Sequence, residues 1–278
     1  MKKMKKSIIN KIAFVVCLLV FLFAGFELIK IFSEYKAGTD AYGDAAQAVE
    51  TVKGDTNELK PIVESEPIET STATKYTTEE IISVDVDWTN LPENVIGWIQ
   101  VENDDIINYP VVQSEDNEYY LNHLPDGTIN SAGSIFVDYR NDGFSNRHVC
   151  VYGHNMKNAS MFSHVKKYRD QAYADEHRYI YVVTPDGATH VFYVYSCQIT
   201  DAAGEEDGFN AYQVSFDGDE WKQWIQKTQE KSLIVSDIEM PEKCNIITLS
   251  TCMSRGVETE RCVIHAVEIS NTRLVEKN

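Results

Sequence analysis

After about residue 79 the chain alternates between short apolar, β-branched runs and polar turns, which predicts a protein built mainly from β-strands. Turn signals such as Pro185-Asp186-Gly187 separate the runs. The predicted strands are 95–101, 108–113, 134–138, 148–152, 179–183, 190–197, 245–251 and 261–269. Their spacing suits a β-barrel or sandwich better than alternating strand–helix–strand units.

Two helical segments interrupt this β pattern. Residues 117–121 suggest a single helical turn, and residues 217–231 predict a longer helix with Asp217 or Asp219 as its N-cap. The apolar face of that longer helix contains Trp221, Trp224, Ile225 and Thr228. Such a stripe is typical of a helix that packs against a larger body.

The N-terminus has a different pattern, in which a basic segment precedes a long apolar one. The first eleven residues contain five lysines and no acidic residue, and 12–32 is apolar apart from Glu27 and Lys30. About 20 mostly apolar residues are enough to cross a bilayer as a helix. We therefore expect a cytoplasmic tail at 1–11 and a single-pass membrane anchor at 12–32, with everything after it outside the cell. A cleaved signal peptide is the alternative, but Phe23-Ala24-Gly25-Phe26 is a poor cleavage site.

The segment between the predicted anchor and the β-rich region divides into two parts. Small apolar residues recur at helical spacing over 33–53 and predict a stalk helix. Residues 54–78 are rich in Glu, Ser, Thr and Pro, which indicates a solvated linker. The expected organisation is therefore a stalk helix and acidic linker at 33–78, followed by a globular domain at 79–278.

Charge and cysteine content exclude some classes of protein. Removal of the five N-terminal lysines takes the formal net charge from −18 to −23 for the part predicted to lie outside. Nucleic acid and anionic membrane surfaces would repel such a chain. Apart from Cys17 in the apolar segment, the cysteines are Cys150, Cys197, Cys244, Cys252 and Cys262. This odd number of widely spaced residues is unlike a small domain held together by disulfides, and it leaves at least one free thiol.

Three side chains at predicted strand ends indicate acyl-transfer chemistry. The apolar run 245–252 ends at Cys252, and Arg261 opens the next run. His154 follows Gly153 at the end of the strand 148–152. A thiolate can attack a carbonyl carbon, a histidine can exchange protons with the leaving and incoming amines, and a guanidinium can hold substrate oxygens. The sequence shows no evident aspartate to orient the histidine.

The same residues carry a resemblance to a known family. Thr248-Leu249-Ser250-Thr251-Cys252 with Arg261, and Tyr152-Gly153-His154-Asn155-Met156, resemble the signatures of sortases, the cell-wall cysteine transpeptidases of Gram-positive bacteria. The wider similarity is to class B and covers about 88–269. It includes the segments 108–113, 116–122, 133–141 and 160–162.

The resemblance implies a sortase-type eight-stranded β-barrel with peripheral helices and a groove at one end. Cys252 would cleave a C-terminal sorting motif after its Thr and form a thioacyl-enzyme. An amine of the lipid-linked cell-wall precursor, of peptidoglycan or of a pilin lysine would then resolve it. Substrate contacts are expected at Asn117, Leu121, Tyr152, Ser250 and Thr251. The helix 217–231 would line the groove or simply pack on the core, and no cofactor or metal is implied.

Several alternatives compete with this interpretation. Arg255 lies three residues after Cys252, but the family pattern favours Arg261 on the last strand. Cys262 and His265 would point to opposite faces of one strand, which disfavours a zinc site, and a packed or edge position is expected for His265. An L,D-transpeptidase-like enzyme would need a glycine before the cysteine, and a papain-like one would place its cysteine upstream of its histidine. A non-catalytic surface binding module is the remaining alternative.

Overall fold

The computed structural model describes residues 2–52, 83–206, 208–241, 243–254 and 257–273. Its helices are α1 Lys2–Ala46, α2 Gln171–Glu176 and α3 Glu220–Glu230, with 3-10 helices at Trp88–Asn90, Tyr119–Leu121 and Phe162–Arg169. Its strands are β1 Val49–Val52, β2 Ser83–Val86, β3 Val95–Val101, β4 Asn108–Gln113, β5 Ile135–Val137, β6 His148–Tyr152, β7 Tyr179–Val183, β8 Ala188–Asp201, β9 Glu205–Glu206, β10 Phe209–Asn210, β11 Ile246–Ser254 and β12 Val257–Arg273.

Eight of these strands form a closed barrel, as predicted. Its order is β11-β12-β8-β7-β3-β4-β5-β6, and β6 pairs with β11 to close it. The β6–β11 and β4–β5 pairs are parallel, and the other neighbouring pairs are antiparallel. The β6–β11 pair matters most for function, because parallel neighbours end at the same edge of a sheet.

The barrel strands are apolar because most of them are buried on both faces. In β3, the adjacent residues Trp98 and Ile99 point to opposite faces, and neither is exposed to solvent. β8 and β12 are longer than their apolar runs suggest, since they pair from Ala188 with Arg273 to Asp201 with Glu260. Backbone pairing with a neighbour extends both strands into segments whose composition alone is typical of loops.

The helix α3 packs on the barrel and supplies part of its core. It begins at Glu220, and the carboxylate of Glu220 accepts from the backbone N–H of Asp217, 2.9 Å away. Asp219 occupies the N-cap position without a side-chain hydrogen bond. Trp221 and Trp224 stack at 5.6 Å between ring centroids within the buried cluster. Core packing, one of the two roles considered for this aromatic stripe, is therefore observed.

The N-terminal part consists of one long helix followed by a short strand pair. α1 contains a stretch, Lys11–Ala46, that is long and apolar enough to cross a membrane, with a mean hydropathy of 2.8 in its most apolar window. The chain divides into two compact units, Met1–Ala41 and Tyr42–Asn278. The second unit thus begins well before residue 79, where the sequence places the start of the globular domain.

The strand β1 accounts for this difference. The predicted stalk helix runs to residue 53, but the observed helix ends at Ala46 and β1 pairs with β2 in antiparallel register. Val49 packs against the buried cluster that contains Val84 and Trp98. β-Branched residues with an apolar surface to cover favour this extended pairing over another helical turn. The linker predicted at 54–78 lies outside the described residues.

Candidate active site

The three predicted catalytic residues lie at one end of the barrel, on neighbouring elements. Tyr152 at the end of β6 is in register with Ser250 of the parallel strand β11, so His154 and Cys252 each lie two residues further along. Cys252 is in turn directly opposite Arg261 in the antiparallel β11–β12 pair. Cβ atoms of residues opposite each other in such a pair are about 5 Å apart. All three side chains are half-buried, so they are both held by the protein and accessible from solvent.

The loop that carries His154 is tied to β11 by hydrogen bonds on both sides of the histidine. The N–H of Gly153 donates to the Ser250 carbonyl at 3.2 Å, and the Thr251 hydroxyl donates to the Gly153 carbonyl at 2.8 Å. On the other side, Nδ2 of Asn155 donates to the Cys252 carbonyl at 2.9 Å. The position of the histidine relative to the cysteine is therefore fixed by short, local contacts.

Gly153 is required for this close approach. A Cβ atom at residue 153 would overlap Cδ1 of Ile135 and lie 2.7 Å from Cγ of Phe162. Both neighbours are buried in the core, so neither has room to move. The glycine thus lets the loop lie flat on the barrel end, with His154 next to the strand that carries Cys252.

A backbone carbonyl orients the imidazole of His154. Its Nε2 lies 2.7 Å from the Leu121 carbonyl oxygen. A carbonyl oxygen can only accept, so Nε2 carries the proton of the neutral ring and Nδ1 has the free lone pair. Leu121 thus plays the orienting part for which the sequence offers no aspartate. Sequence patterns cannot reveal this contact, because any residue type has a carbonyl.

Tyr212 contacts the strand that carries Cys252 through a hydrogen bond to Ser250. Its hydroxyl is 2.7 Å from Oγ of Ser250, and burial raises its pKa, as does the charge of Cys252, while Ser250 and Arg261 act in the opposite sense. Its phenol therefore contacts the strand β11 two residues before Cys252. Tyr212 has no motif support in the sequence, because the segment before α3 has no regular pattern.

The five predicted substrate-contacting residues differ in what they expose. The side chains of Ser250 and Thr251 are buried, and their hydroxyls already bond Tyr212 and Gly153. Leu121 is 43% exposed, whereas Asn117 and Tyr152 are half-buried. Contact of these residues with a peptide remains a prediction. Leu121, Asn117 and Tyr152 offer the more accessible surface.

Burial distinguishes Cys252 from the other cysteines of the barrel unit. Cys150, Cys197 and Cys262 are fully buried, and Cys244 is nearly so. Burial raises the pKa of the Cys244 thiol to about 11 and that of Cys150 still further, which keeps both thiols protonated. A nucleophile must be deprotonated and accessible, and Cys252 is the half-buried cysteine of this unit.

The structure also places the rival residues. His265 is fully buried, with Nδ1 2.7 Å from the Thr248 hydroxyl and Nε2 3.1 Å from the Gln198 amide, so it packs within the protein as expected. Arg255 lies outside the described residues. In the described part of the chain, no three His, Cys, Asp or Glu side chains are grouped closely enough to hold a metal ion.

The closed eight-stranded barrel, with a half-buried cysteine, histidine and arginine at one end, is the arrangement expected of a β-barrel cysteine enzyme. A model of the sortase domain matches residues 99–269, and the chain belongs to the sortase family of cysteine transpeptidases. Its similarity is to sortase B. It is 31% identical to sortase B of Listeria monocytogenes over 263 residues, which are 93% of this chain and 96% of that protein.

Solved structures of sortase B share the fold. Sortase B of B. anthracis in complex with AAEK1 has a TM-score of 0.63 and 30% identity, over 88% of this chain and 100% of that one. A Staphylococcus aureus sortase B–substrate complex has a TM-score of 0.58 and 31% identity, over 65% of this chain and 82% of that one. The predicted class B resemblance and the predicted barrel are thus confirmed.

Proposed function

We propose that this protein cleaves a C-terminal sorting motif after its Thr and transfers the protein to an amine, with Cys252, His154 and Arg261 as the catalytic residues. The observation that carries the proposal is the arrangement of these residues, with Cys252 opposite Arg261 and the His154 loop bonded to the same strand. Sortase B has been solved with a substrate and in complex with triglycine, which supports a peptide donor and an amine acceptor.

Each residue has a defined part in the proposed reaction. His154 takes the thiol proton of Cys252 on its free Nδ1, and the resulting thiolate attacks the Thr carbonyl carbon to form an S–C bond. The peptide C–N bond breaks as His154 gives that proton to the leaving amine. An incoming amine then attacks the thioester, gives its proton to His154 and releases Cys252. Arg261 holds substrate oxygens by its guanidinium fork and stabilises the charge that develops on the Thr carbonyl.

The expected donors are surface proteins that carry a sorting motif. The acceptor is the amine of a lipid-linked cell-wall precursor, of peptidoglycan or of a pilin lysine. We also propose that Lys11–Ala46 of α1 includes the membrane anchor, with the basic N-terminus in the cytoplasm and the barrel outside. This location brings the enzyme to both the secreted donor and a membrane-bound acceptor.

The test uses the full chain in detergent with a library of pentapeptides that contain a fixed internal Thr, with and without triglycine. We expect cleavage after the Thr, and a triglycine-linked product when triglycine is present. Cys252→Ala should abolish both products. Cys244→Ala is the matched control, because this buried thiol lies outside the site, and it should retain both activities. Turnover in Cys252→Ala would refute the proposal.

A further inference from the structure

A fully buried carboxylate contacts Asn117 and Tyr152, two of the residues expected to bind the peptide. Asp138 directly follows β5 and has no solvent exposure. Its Oδ1 accepts hydrogen bonds from the backbone N–H of Arg140 at 2.9 Å and from Nε of Arg140 at 2.8 Å. Its Oδ2 accepts from Nη2 of Arg140, the Tyr152 hydroxyl and Nδ2 of Asn117 at 2.8, 2.8 and 3.2 Å. The carboxylate is thus surrounded by five donors.

These donors keep Asp138 charged in spite of its burial. Burial alone would raise the pKa of this carboxyl, but hydrogen bonds from Arg140 and Tyr152 and the charge of Arg140 hold the pKa below its ordinary value. Burial raises the pKa of Tyr152, whose phenol therefore remains a donor. An ionised carboxylate that only accepts imposes one direction on each hydrogen bond around it.

The groups that Asp138 holds are those expected to contact a peptide. The Asn117 amide donates to Asp138 and accepts from the Tyr139 backbone N–H at 3.0 Å, so the amide cannot flip. Among the described residues the Nδ2 of Asn117 donates to Asp138, which leaves its second N–H for a ligand. Tyr152 is fixed by its hydroxyl. Arg140 extends the array by donating to the Tyr212 carbonyl at 3.1 Å.

We propose that Asp138 is a positioning residue for peptide recognition, which presets Asn117, Tyr152 and the Tyr212 segment before the sorting peptide arrives. This inference rests on the proposed function. Preorganised groups lose little conformational entropy when a ligand binds, so their effect appears in the affinity for the peptide. None of the hydrogen bonds of Asp138 among the described residues goes to Cys252, His154 or Arg261. Mutation of Asp138 should therefore weaken peptide binding and leave the reactivity of the Cys252 thiol unchanged.

The decisive variant is Asp138→Asn in the full-length protein. An amide has one oxygen and one NH2, so in either orientation it faces at least two of the five donors with a donor of its own. We expect KM for the cleaved pentapeptide to rise about tenfold or more while kcat changes less than about threefold. The rate at which a methanethiosulfonate reagent labels Cys252 should not change.

Asp104→Asn is the matched control. Asp104 is also buried and accepts from Tyr173, His164 and the Ile106 backbone N–H, at 2.6, 2.9 and 2.7 Å. None of these partners belongs to the predicted site. The control variant should lose stability to a comparable extent and keep its KM, whereas an equal rise in KM in both variants would mean a general structural effect and would overturn the proposal.

A second variant decides the question if Asp138→Asn does not fold. Arg140→Gln removes the guanidinium from a side chain that is already 36% exposed, so the core loses little packing. It should reproduce the rise in KM at unchanged labelling of Cys252. An unchanged KM in a folded Asp138→Asn or Arg140→Gln protein would contradict the proposal. Failure of the proposed function is distinguishable, because the wild-type protein would then cleave no peptide at all.

Discussion

Acid should destabilise this protein through a buried pair of histidines that share one hydroxyl. His148 Nδ1 lies 2.7 Å from the Gln213 carbonyl, which can only accept, so the other ring nitrogen, Nε2, accepts from the Thr248 hydroxyl at 2.6 Å. The Thr248 oxygen then accepts from Nδ1 of His265 at 2.7 Å, and Nε2 of His265 accepts from Gln198. This chain of bonds is complete only when both rings are neutral.

The magnitude follows from the pKa of His148. Burial lowers this pKa to about 4, the charge of Arg140 lowers it as well, and the Gln213 carbonyl and Asp138 oppose the shift. The unfolded chain has an ordinary histidine pKa of about 6.5, so it binds the proton first as the pH falls. The contribution of neutral His148 to the free energy of unfolding is therefore complete above pH 6.5, and it is lost as the pH falls towards 4. The total loss is about 3 kcal/mol, of which about 2 kcal/mol is lost between pH 7 and pH 5.

His265 acts in the same direction. Burial lowers its pKa well below the ordinary value, and the nearby His148 lowers it further. Protonation of either ring would place two donors against each other at a buried contact. Both histidines therefore resist protonation in the folded protein. The loss of stability calculated for His148 alone is a lower bound for the pair.

The assay is urea unfolding at pH 7 and pH 5, in the wild-type protein and in His148→Gln. Protonation of buried carboxylates such as Asp138 and Asp104 also destabilises the folded protein in acid, and it does so equally in the wild-type protein and the variant. The difference between the two pH dependences therefore isolates the histidine. We expect the wild-type protein to lose about 2 kcal/mol more than the variant between these pH values. Equal pH dependence in the two proteins would refute the assigned hydrogen-bond directions.

Three further changes test the site and its support. Arg261→Lys should lower kcat/KM by about a hundredfold, because an ammonium cannot reproduce the guanidinium fork, and near-normal turnover would move the role to Arg255. Gly153→Ala should lower the free energy of unfolding by about 1–3 kcal/mol and also lower turnover, because its Cβ meets Ile135 and Phe162, and urea unfolding with peptide cleavage measures both effects. Removal of residues 1–32 should leave peptide cleavage unchanged, because the compact barrel unit begins at Tyr42, and an inactive truncated protein would show that the anchor does more than tether.

Sequence patterns predict the barrel well because its strands are short, apolar and separated by turns. The strands at 95–101, 108–113, 148–152 and 179–183 have the observed bounds. The ends of β8 and β12 are not predictable in this way, since they depend on pairing between strands about 70 residues apart. The same holds for β1, whose partner β2 follows a segment of 30 residues after β1 ends.

The active site shows a similar limit. Cys252, Arg261 and His154 can be selected from the sequence because their residue types carry chemistry and each lies at a strand end. Their partners cannot be selected in this way. The Leu121 carbonyl has no sequence signature, and Asp138 lies in an apolar run where its role as an acceptor for Tyr152 and Asn117 depends on the fold.

The covalent intermediate tests the central claim most directly. The full-length enzyme is mixed with a cleavable pentapeptide, quenched in acid and analysed by intact-protein and peptide-mapping mass spectrometry. We predict an acyl adduct on the Cys252 sulfur, located to the peptide that contains residues 248–252, and its disappearance when triglycine is added. An adduct on another residue would contradict the account. Peptide cleavage with no adduct on Cys252, either in the quenched enzyme or in a time course without triglycine, would contradict it as well.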